Sequence, residues 1–250
     1  PEETGGRCPS GSGLMTPANM LLVSVLFFGS TIGIGLEFNN LLFGDYFAIS
    51  VLMYLGLIGV FLGVMYTGFL KLAYNGLGDL AVFIGFGPLM VYGAAYMQNQ
   101  SVDPLTTLLF SIPVGIFIAL VLFINCYQDY NADKAANKNS WVVRLAGPGD
   151  KANYRAPFKV WKNLMMLSFM IILGASLYAG NLFTLIALFP LFIFNFASKK
   201  GNSWLDQWEK EGANLQQLPY ELLIVNVSTI GIHFLTGILL TLGILISTWI

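Results

Sequence analysis

Apolar residues in this chain come in long blocks rather than alternating with polar ones. The blocks cover residues 18–38, 46–68, 80–97, 105–125, 163–198 and 221–249, separated by short polar stretches. A helix needs about 20 mostly apolar residues to cross a bilayer, and most of the blocks approximate that length. The run 163–198 is the exception: at about 1.5 Å per residue it would rise more than about 50 Å, beyond a hydrocarbon core of about 30 Å. It must fold back, and Gly180-Asn181 near its middle is the turn signal. The pattern therefore predicts an all-α, polytopic transmembrane helical bundle of seven spans, read as one domain over 1–250 with polar cap loops 69–79, 126–162 and 199–220. No period signals an internal repeat. Gly29-x-x-x-Gly33 and Gly59-x-x-x-Gly63 predict close helix approach.

Composition agrees with a lipid bilayer as the surroundings. Of the 250 residues, 56% are hydrophobic and 10% charged, and the mean hydropathy is +0.71; a soluble domain carries about 25% charged residues. Twelve Lys+Arg against 13 Asp+Glu give a net charge of -1, so no basic excess points to nucleic acid. With seven spans, all 12 basic residues fall on one side, in 1–17, 69–79, 126–162 and 199–220, and none on the other. That partition predicts an integral membrane protein with these loops cytoplasmic; the membrane expected is a bacterial or archaeal plasma membrane. Cys8 and Cys126 are too few for a disulfide framework and read as free thiols. The opening PEETGGRCPSGSG lacks the basic and apolar regions of a signal peptide. A first residue of Pro1 rather than Met is expected of a processed, truncated or incompletely recorded chain.

Candidate chemistry concentrates in two polar islands on the predicted inner side. At the end of the fourth span, Asn125, Asp129 and Asp133 recur every four residues, which places them on one face if the helix continues. Two carboxylates so spaced repel by a few tenths of a kcal/mol in an isolated helix, and a bound divalent cation reverses that sign. One or two carboxylates, completed by substrate phosphates and water, are the usual ligands of Mg²⁺. An acidic pair on a helix end is more often merely solvated, but here Asn125 is still at membrane depth, where polar side chains tend to be functional. Lys134, Lys138 and Arg144 follow closely, as a diphosphate would require. The second island runs from Tyr66 through Lys71, Tyr74, Asn75, Gly76 and Gly78 to Asp79. By itself it reads as a turn between spans with Lys71 as an orientation anchor, and its Gly-x-Gly is not a dinucleotide fingerprint, lacking a preceding strand and a third glycine.

Together the islands resemble the UbiA superfamily of intramembrane prenyltransferases, closest to its 1,4-dihydroxy-2-naphthoate (menaquinone-pathway) branch. Lys71-Leu72-Ala73-Tyr74-Asn75-Gly76-Leu77-Gly78-Asp79 looks like that branch's K-L-x-Y-x-G-L-G-E, and Asp129-Tyr130-Asn131-Ala132-Asp133-Lys134 with Lys138 and Val142-Val143-Arg144-Leu145 looks like its second aspartate motif. Phe86-Gly87-Pro88 and Gln98 fit the intervening helix. The resemblance implies that Asp129 and Asp133 hold Mg²⁺ on an isoprenyl diphosphate and that Asn125 assists from the same face. It also implies that Lys71, Lys138, Arg144 and Tyr74 contact substrate and that Tyr66 is the tyrosine near the loop lysine. The reaction implied is transfer of a polyprenyl group to an aromatic acceptor. The family's first aspartate motif and two preceding helices are expected upstream of Pro1. Cys126, Gln128, Asn137 and Asn139 stand where the family commonly has Asn, Arg, Gly and Arg.

Two other readings remain open: an ion- or proton-coupled transporter using Asp129, Asp133 and His233, and a catalytically inactive fragment of the same family. His233 reads rather as a hydrogen-bonded packing residue inside the last span. Glu37, Asp45 and Asp103 read as solvated outer-interface acids, and Met165, Met166 and Met170 as span packing. Trp141, Trp161, Trp204 and Trp208 are expected to be interfacial anchors.

Overall fold

The computed structural model describes residues 15–147, 153–211 and 222–249. Cys8 and Arg7 lie outside these residues, as do the side chains of Trp208 and Lys210. Six helical segments among the described residues are long and apolar enough to cross a membrane, and Val51–Thr67, at 17 residues, is a shorter apolar seventh. This is the integral membrane helix bundle that the blocks predict.

Helix starts follow local chemistry. Helix α1 (Pro17–Phe43) begins with proline at its first position and the Thr16 hydroxyl accepting from Asn19 N, and it ends on Gly44 at φ 74°. A proline N–H is not missed at N1, and a left-handed C-terminal residue suits glycine. Ser50 caps α2 (Val51–Thr67), so this helix starts five residues later than the apolar block. The intervening turn is organised by buried Asn39, whose Nδ2 donates to the carbonyls of Asp45, Tyr46 and Ala48 and whose Oδ1 accepts from Ser50. Helix α3 (Gly78–Ile84) passes through a wider π turn, Gly85–Leu89, into α4 (Met90–Gln98). Pro88 sits in that turn, where its missing N–H breaks the regular ladder.

Helix α5 (Pro104–Gln128) is capped by Asp103, and only Asp129 separates it from α6 (Tyr130–Ala135). Two short helices on the cap, α6 and α7 (Trp141–Ala146), precede α8 (Arg155–Tyr178). The long apolar run does fold back: Gly180 takes φ 65° and Asn181 N bonds Ser176 O. A 3₁₀ segment, Leu182–Leu188, leads into α9 (Leu191–Glu211), and α10 (Leu223–Trp249) completes the chain.

Helix α5 packs on α8 and α10, and these with the 3₁₀ segment and α9 form a bundle whose core includes Phe117, Trp161, Phe169, Phe194 and Ile232. Helices α1 and α2 pack on one another and present Leu21, Leu26, Phe27 and Leu57 outward, as a lipid-facing surface would. Trp161 corrects an expectation. It is fully buried, stacked on Phe158 with ring centroids 5.2 Å apart, and its Nε1 donates to Thr229; Trp141 is partly exposed.

Of the two glycine motifs, only the first is corrected. Gly29 and Gly33 face open space, whereas Gly63 meets the Phe28 ring and Gly59 meets Leu89. A closer backbone approach lies elsewhere, where Gly87 and Gly115 press α3–α4 onto α5. A β-carbon on Gly115 would stand 2.6 Å from Phe83 O and 3.0 Å from Gly87 Cα. Gly115→Val is therefore expected to cost about 1–3 kcal/mol or more by overpacking, read as a lower thermal midpoint in detergent, while Gly33→Val leaves the midpoint unchanged. Equal midpoints would mean the two helices separate without penalty.

Candidate functional site

The two polar islands come together at one end of the bundle. Asn139 N donates to Tyr74 O at 2.9 Å, Trp141 Nε1 to Gly76 O at 2.6 Å and Arg144 Nη2 to Asn75 O at 2.8 Å. Gly76 is needed at this junction because its φ is 69° and a β-carbon there would lie 2.7 Å from both Arg144 and Asn139 O. Arg144 also donates Nε to Asn139 O, so its guanidinium clamps the two loops together. Tyr74 contributes its carbonyl to the clamp, and its side chain is exposed. Lys71 is exposed at the turn with φ 45°.

The acidic stripe keeps its helical spacing across the α5–α6 junction. Asp129 N bonds Asn125 O at 2.9 Å and Asp133 N bonds Asp129 O at 2.8 Å. The three side chains nevertheless meet different surroundings. Asn125 accepts from Asn226 Nδ2 on α10, and the same amide reaches Gln128. Asp129 is exposed. Asp133 is buried; its Oδ1 pairs with Lys138 Nζ at 3.0 Å and its Oδ2 has no hydrogen-bond partner. Asn137 makes this pair possible by turning the chain at φ 53°, and Lys138 N then bonds Asp133 O. Lys138 Nζ also lies 3.9 Å from Cys126, a buried free thiol. Tyr66, near the end of α2, lies within electrostatic range of Cys126, Lys138, Asp79 and Asp133.

Although Asp129 is exposed at its surface, partial desolvation by surrounding atoms and then the neighbouring Asp133 carboxylate push its carboxyl above the ordinary value. A raised carboxyl binds its proton more tightly in the folded than in the unfolded chain. It thus stabilises the cation-free protein fully below the unfolded value, and that contribution fades as pH rises through the folded one. A divalent cation held at this carboxylate would compete with that proton. Its binding should then weaken as pH falls into the acid range just above the ordinary carboxylate value, and Asp129→Asn should reduce this pH dependence. Cation titrations at several pH values check this.

Among the described residues no three His, Cys, Asp or Glu side chains converge to enclose a metal. Asp133 Oδ2, buried without a partner, and the adjoining Asp129 carboxylate fit instead an ion held by two carboxylates and completed by phosphate oxygens and water. An apolar cavity of about 550 Å³ opens beside this polar pole, lined by Phe28, Gly59, Leu62, Gly63, Tyr66 and Phe86 among others. A second, about 230 Å³, lies under α7, lined by Asp79, Phe83, Phe123, Trp141 and Leu164 with neighbours on α5. Asp79 opens α3 with its Oδ1 buried and without a hydrogen-bond partner. His233 lies away from this pole in the middle of α10, with Nδ1 buried and lacking a hydrogen-bond partner, contrary to the expected bonded packing role.

The chain is similar to several known proteins. The chain is 35% identical over 127 residues to the 1,4-dihydroxy-2-naphthoate octaprenyltransferase of Haemophilus influenzae, a match covering 50% of this chain and 39% of that protein. It is 30% identical over 196 residues to the protein of the same name from Escherichia coli, covering 78% of this chain and 58% of the relative. A third relative, the 2-carboxy-1,4-naphthoquinone phytyltransferase of a Synechocystis strain, is 42% identical over 89 residues, or 35% of this chain and 29% of that protein. The chain thus spans well under two thirds of the length of each of these relatives. No solved structure matches it significantly. Divalent-metal dependence is general among UbiA prenyltransferases. Residues 6–211 match the UbiA prenyltransferase family, and the chain belongs to that family.

Proposed function

We propose that the protein transfers a polyprenyl group from an isoprenyl diphosphate to an aromatic acceptor, with Mg²⁺ as cofactor and 1,4-dihydroxy-2-naphthoate as the acceptor, in menaquinone biosynthesis. The observation that carries this reading is the Asp129/Asp133/Lys138 pole, where a carboxylate oxygen is buried without a partner beside an apolar cavity walled by Tyr66. The names of the relatives support the acceptor class. The one-sided distribution of Lys and Arg supports placing this pole on the cytoplasmic face.

Asp129 and Asp133 are the carboxylates that would hold Mg²⁺, which, when bound, neutralises the charge growing on the diphosphate as its bond to carbon breaks. Lys138 lies 3.0 Å from Asp133 and is placed to bind diphosphate oxygens together with Lys71. The cavity beside Tyr66 would take the prenyl chain, and its apolar walls keep water from an allylic cation that water would trap. Asn226 orients Asn125 at the rim of the stripe. Arg144, with Nε and Nη2 bonded to backbone carbonyls, works by fixing the loops rather than by touching substrate.

The test uses the full-length protein in detergent or liposomes with one fixed prenyl diphosphate and two acceptors, 1,4-dihydroxy-2-naphthoate and 4-hydroxybenzoate. The naphthoate should be prenylated at least tenfold faster, and removal of divalent ions by chelation should stop the reaction. Preference for the benzoate would overturn the acceptor assignment, and turnover in excess chelator would overturn the metal assignment.

A further inference from the structure

We propose that the seam between α8 and α9, at the basic end of the bundle, binds an anionic phospholipid, whose phosphate sits among Lys159, Lys162 and Lys199 while its acyl chains run down the bundle surface below. The inference is independent of the prenyl-transfer reading.

Helix geometry brings the three lysines together. Gly201 of α9 lies against the Phe158 ring of α8, where a β-carbon would overlap the ring, so the two helices are close at this level. One flanking residue of each is joined there: Lys162 Nζ donates to Asn202 Oδ1 at 3.2 Å. Residues three apart on a helix are neighbours on one face. Lys159 therefore stands beside Lys162 on α8 and Lys199 beside Asn202 on α9, and both are exposed. With Gly201 facing α8, Lys200 falls on the opposite flank of α9, where its ammonium lies over the Phe196 ring.

The acids of this end are already engaged. Arg155 donates to Asp206 and Glu209, nearer the helix ends. Among the described residues none of Lys159, Lys162 or Lys199 forms an ion pair. Lys162 is held between the Asn202 amide and the face of Phe158, 5.4 Å from the ring centroid, and both partners are neutral. Its half-buried ammonium carries three donors, so it has some to spare. Three uncompensated cations on one seam repel, and a phosphate among them turns repulsion into attraction. Basic pockets between spans bind anionic headgroups in this way, at about 1 kcal/mol per lysine.

Depth fits a lipid. Lys162 stands sixteen residues before Tyr178 at the end of α8, a rise of about 24 Å, against a hydrocarbon core of about 30 Å. The lysine stem spans the remainder and brings the ammonium to the headgroup boundary. Below it the same flank continues as Met166 and Leu173, with Phe192 on α9, all exposed. Met166 thus faces outward rather than packing within the bundle, and acyl chains have an apolar track beneath the phosphate. The bland alternative is that these lysines only orient the chain in the membrane. Orientation needs basic residues anywhere in the loops. It does not call for two helices to bring theirs to one seam without a carboxylate.

The experiment uses the full-length protein in neutral detergent and reads the thermal midpoint with phosphatidylglycerol, phosphatidylcholine or inorganic phosphate added. Phosphatidylglycerol should raise the wild-type midpoint about 4 °C or more above phosphatidylcholine, and inorganic phosphate should raise it by less than about 1 °C. Lys162→Gln with Lys199→Gln should remove at least about three quarters of the lipid-dependent rise. Lys200→Gln, which deletes the same charge from the other flank of α9, should keep all of it. Lys199→Gln alone changes an exposed side chain and decides the matter where the double variant does not fold; it should remove about half of the rise. Equal wild-type midpoints in the two lipids, an undiminished rise in the seam variants, or an equal loss in Lys200→Gln would overturn the proposal. Inorganic phosphate as effective as phosphatidylglycerol would also overturn it, the seam then being a site for a soluble anion.

Discussion

Asp133→Asn in the full-length protein should lower prenyl transfer by about 10³-fold or more, with Asp129→Asn close behind. The magnitude follows from the task assigned to the pair. A divalent ion on a departing diphosphate supplies several kcal/mol of charge stabilisation, and each 1.36 kcal/mol is about tenfold in rate. Neutralising one of two carboxylates at a site with no third acidic ligand among the described residues removes the greater part of the ion's affinity. Asp133 should matter more, because its free Oδ2 is already desolvated, whereas Asp129 is exposed and water can replace it. Raising Mg²⁺ should recover part of the Asp129→Asn activity and little of the Asp133→Asn activity. Steady-state rates across a Mg²⁺ titration make the measurement. Wild-type turnover in both variants would sink the metal site and with it the proposed mechanism.

How far the sequence alone reaches can be judged residue by residue. Apolar block length gave the spans, since a bilayer fixes helix length more tightly than a soluble core does, and Gly180-Asn181 marked the hairpin in the longest run. The acidic stripe was legible because helical periodicity alone carries Asn125, Asp129 and Asp133 up one side of α5 and α6. What the stripe did not show is that the three differ in surroundings. Asn125 is claimed by Asn226, 101 residues away, and Asp133 by Lys138 through a left-handed residue at Asn137. Neither partner is implied by a period. The burial of Asp79 was not legible for the same reason, since it comes from neighbours on other elements. Gly29-x-x-x-Gly33 misled because G-x-x-x-G reports spacing within one helix, whereas Gly59-x-x-x-Gly63 does meet its neighbours. A closer backbone approach pairs single glycines, Gly87 and Gly115, from two segments. Trp161 misled because its place near the end of a span fits an interfacial anchor, while Phe158, Phe194 and Thr229 enclose it.

Lys138→Met and Asp133→Asn should both abolish activity yet differ in what they do to stability. The pair is unequally buried, with side-chain exposure of 24% for Lys138 and 9% for Asp133. Removing the lysine strands a carboxylate that water barely reaches. Removing the charge on the acid leaves an ammonium that can turn toward solvent. Breaking a buried pair by deleting one partner costs about 3–5 kcal/mol, and partial exposure reduces this to about 2–3 kcal/mol for Lys138→Met. Asp133→Asn should cost about 1 kcal/mol or less, because the amide fills the same space and leaves no stranded charge. Magnesium then separates the variants further. In Lys138→Met the ion can take the place of the missing ammonium at Asp133, so millimolar Mg²⁺ should restore much of the lost thermal midpoint. In Asp133→Asn it should restore none. The double variant should be no less stable than Lys138→Met alone, since the stranded charge is gone. Thermal midpoints of all three variants with and without Mg²⁺ decide the issue. Equal losses in the two single variants, unaffected by the ion, would show that Lys138 and Asp133 act as an ordinary solvated ion pair rather than as the place where the metal binds.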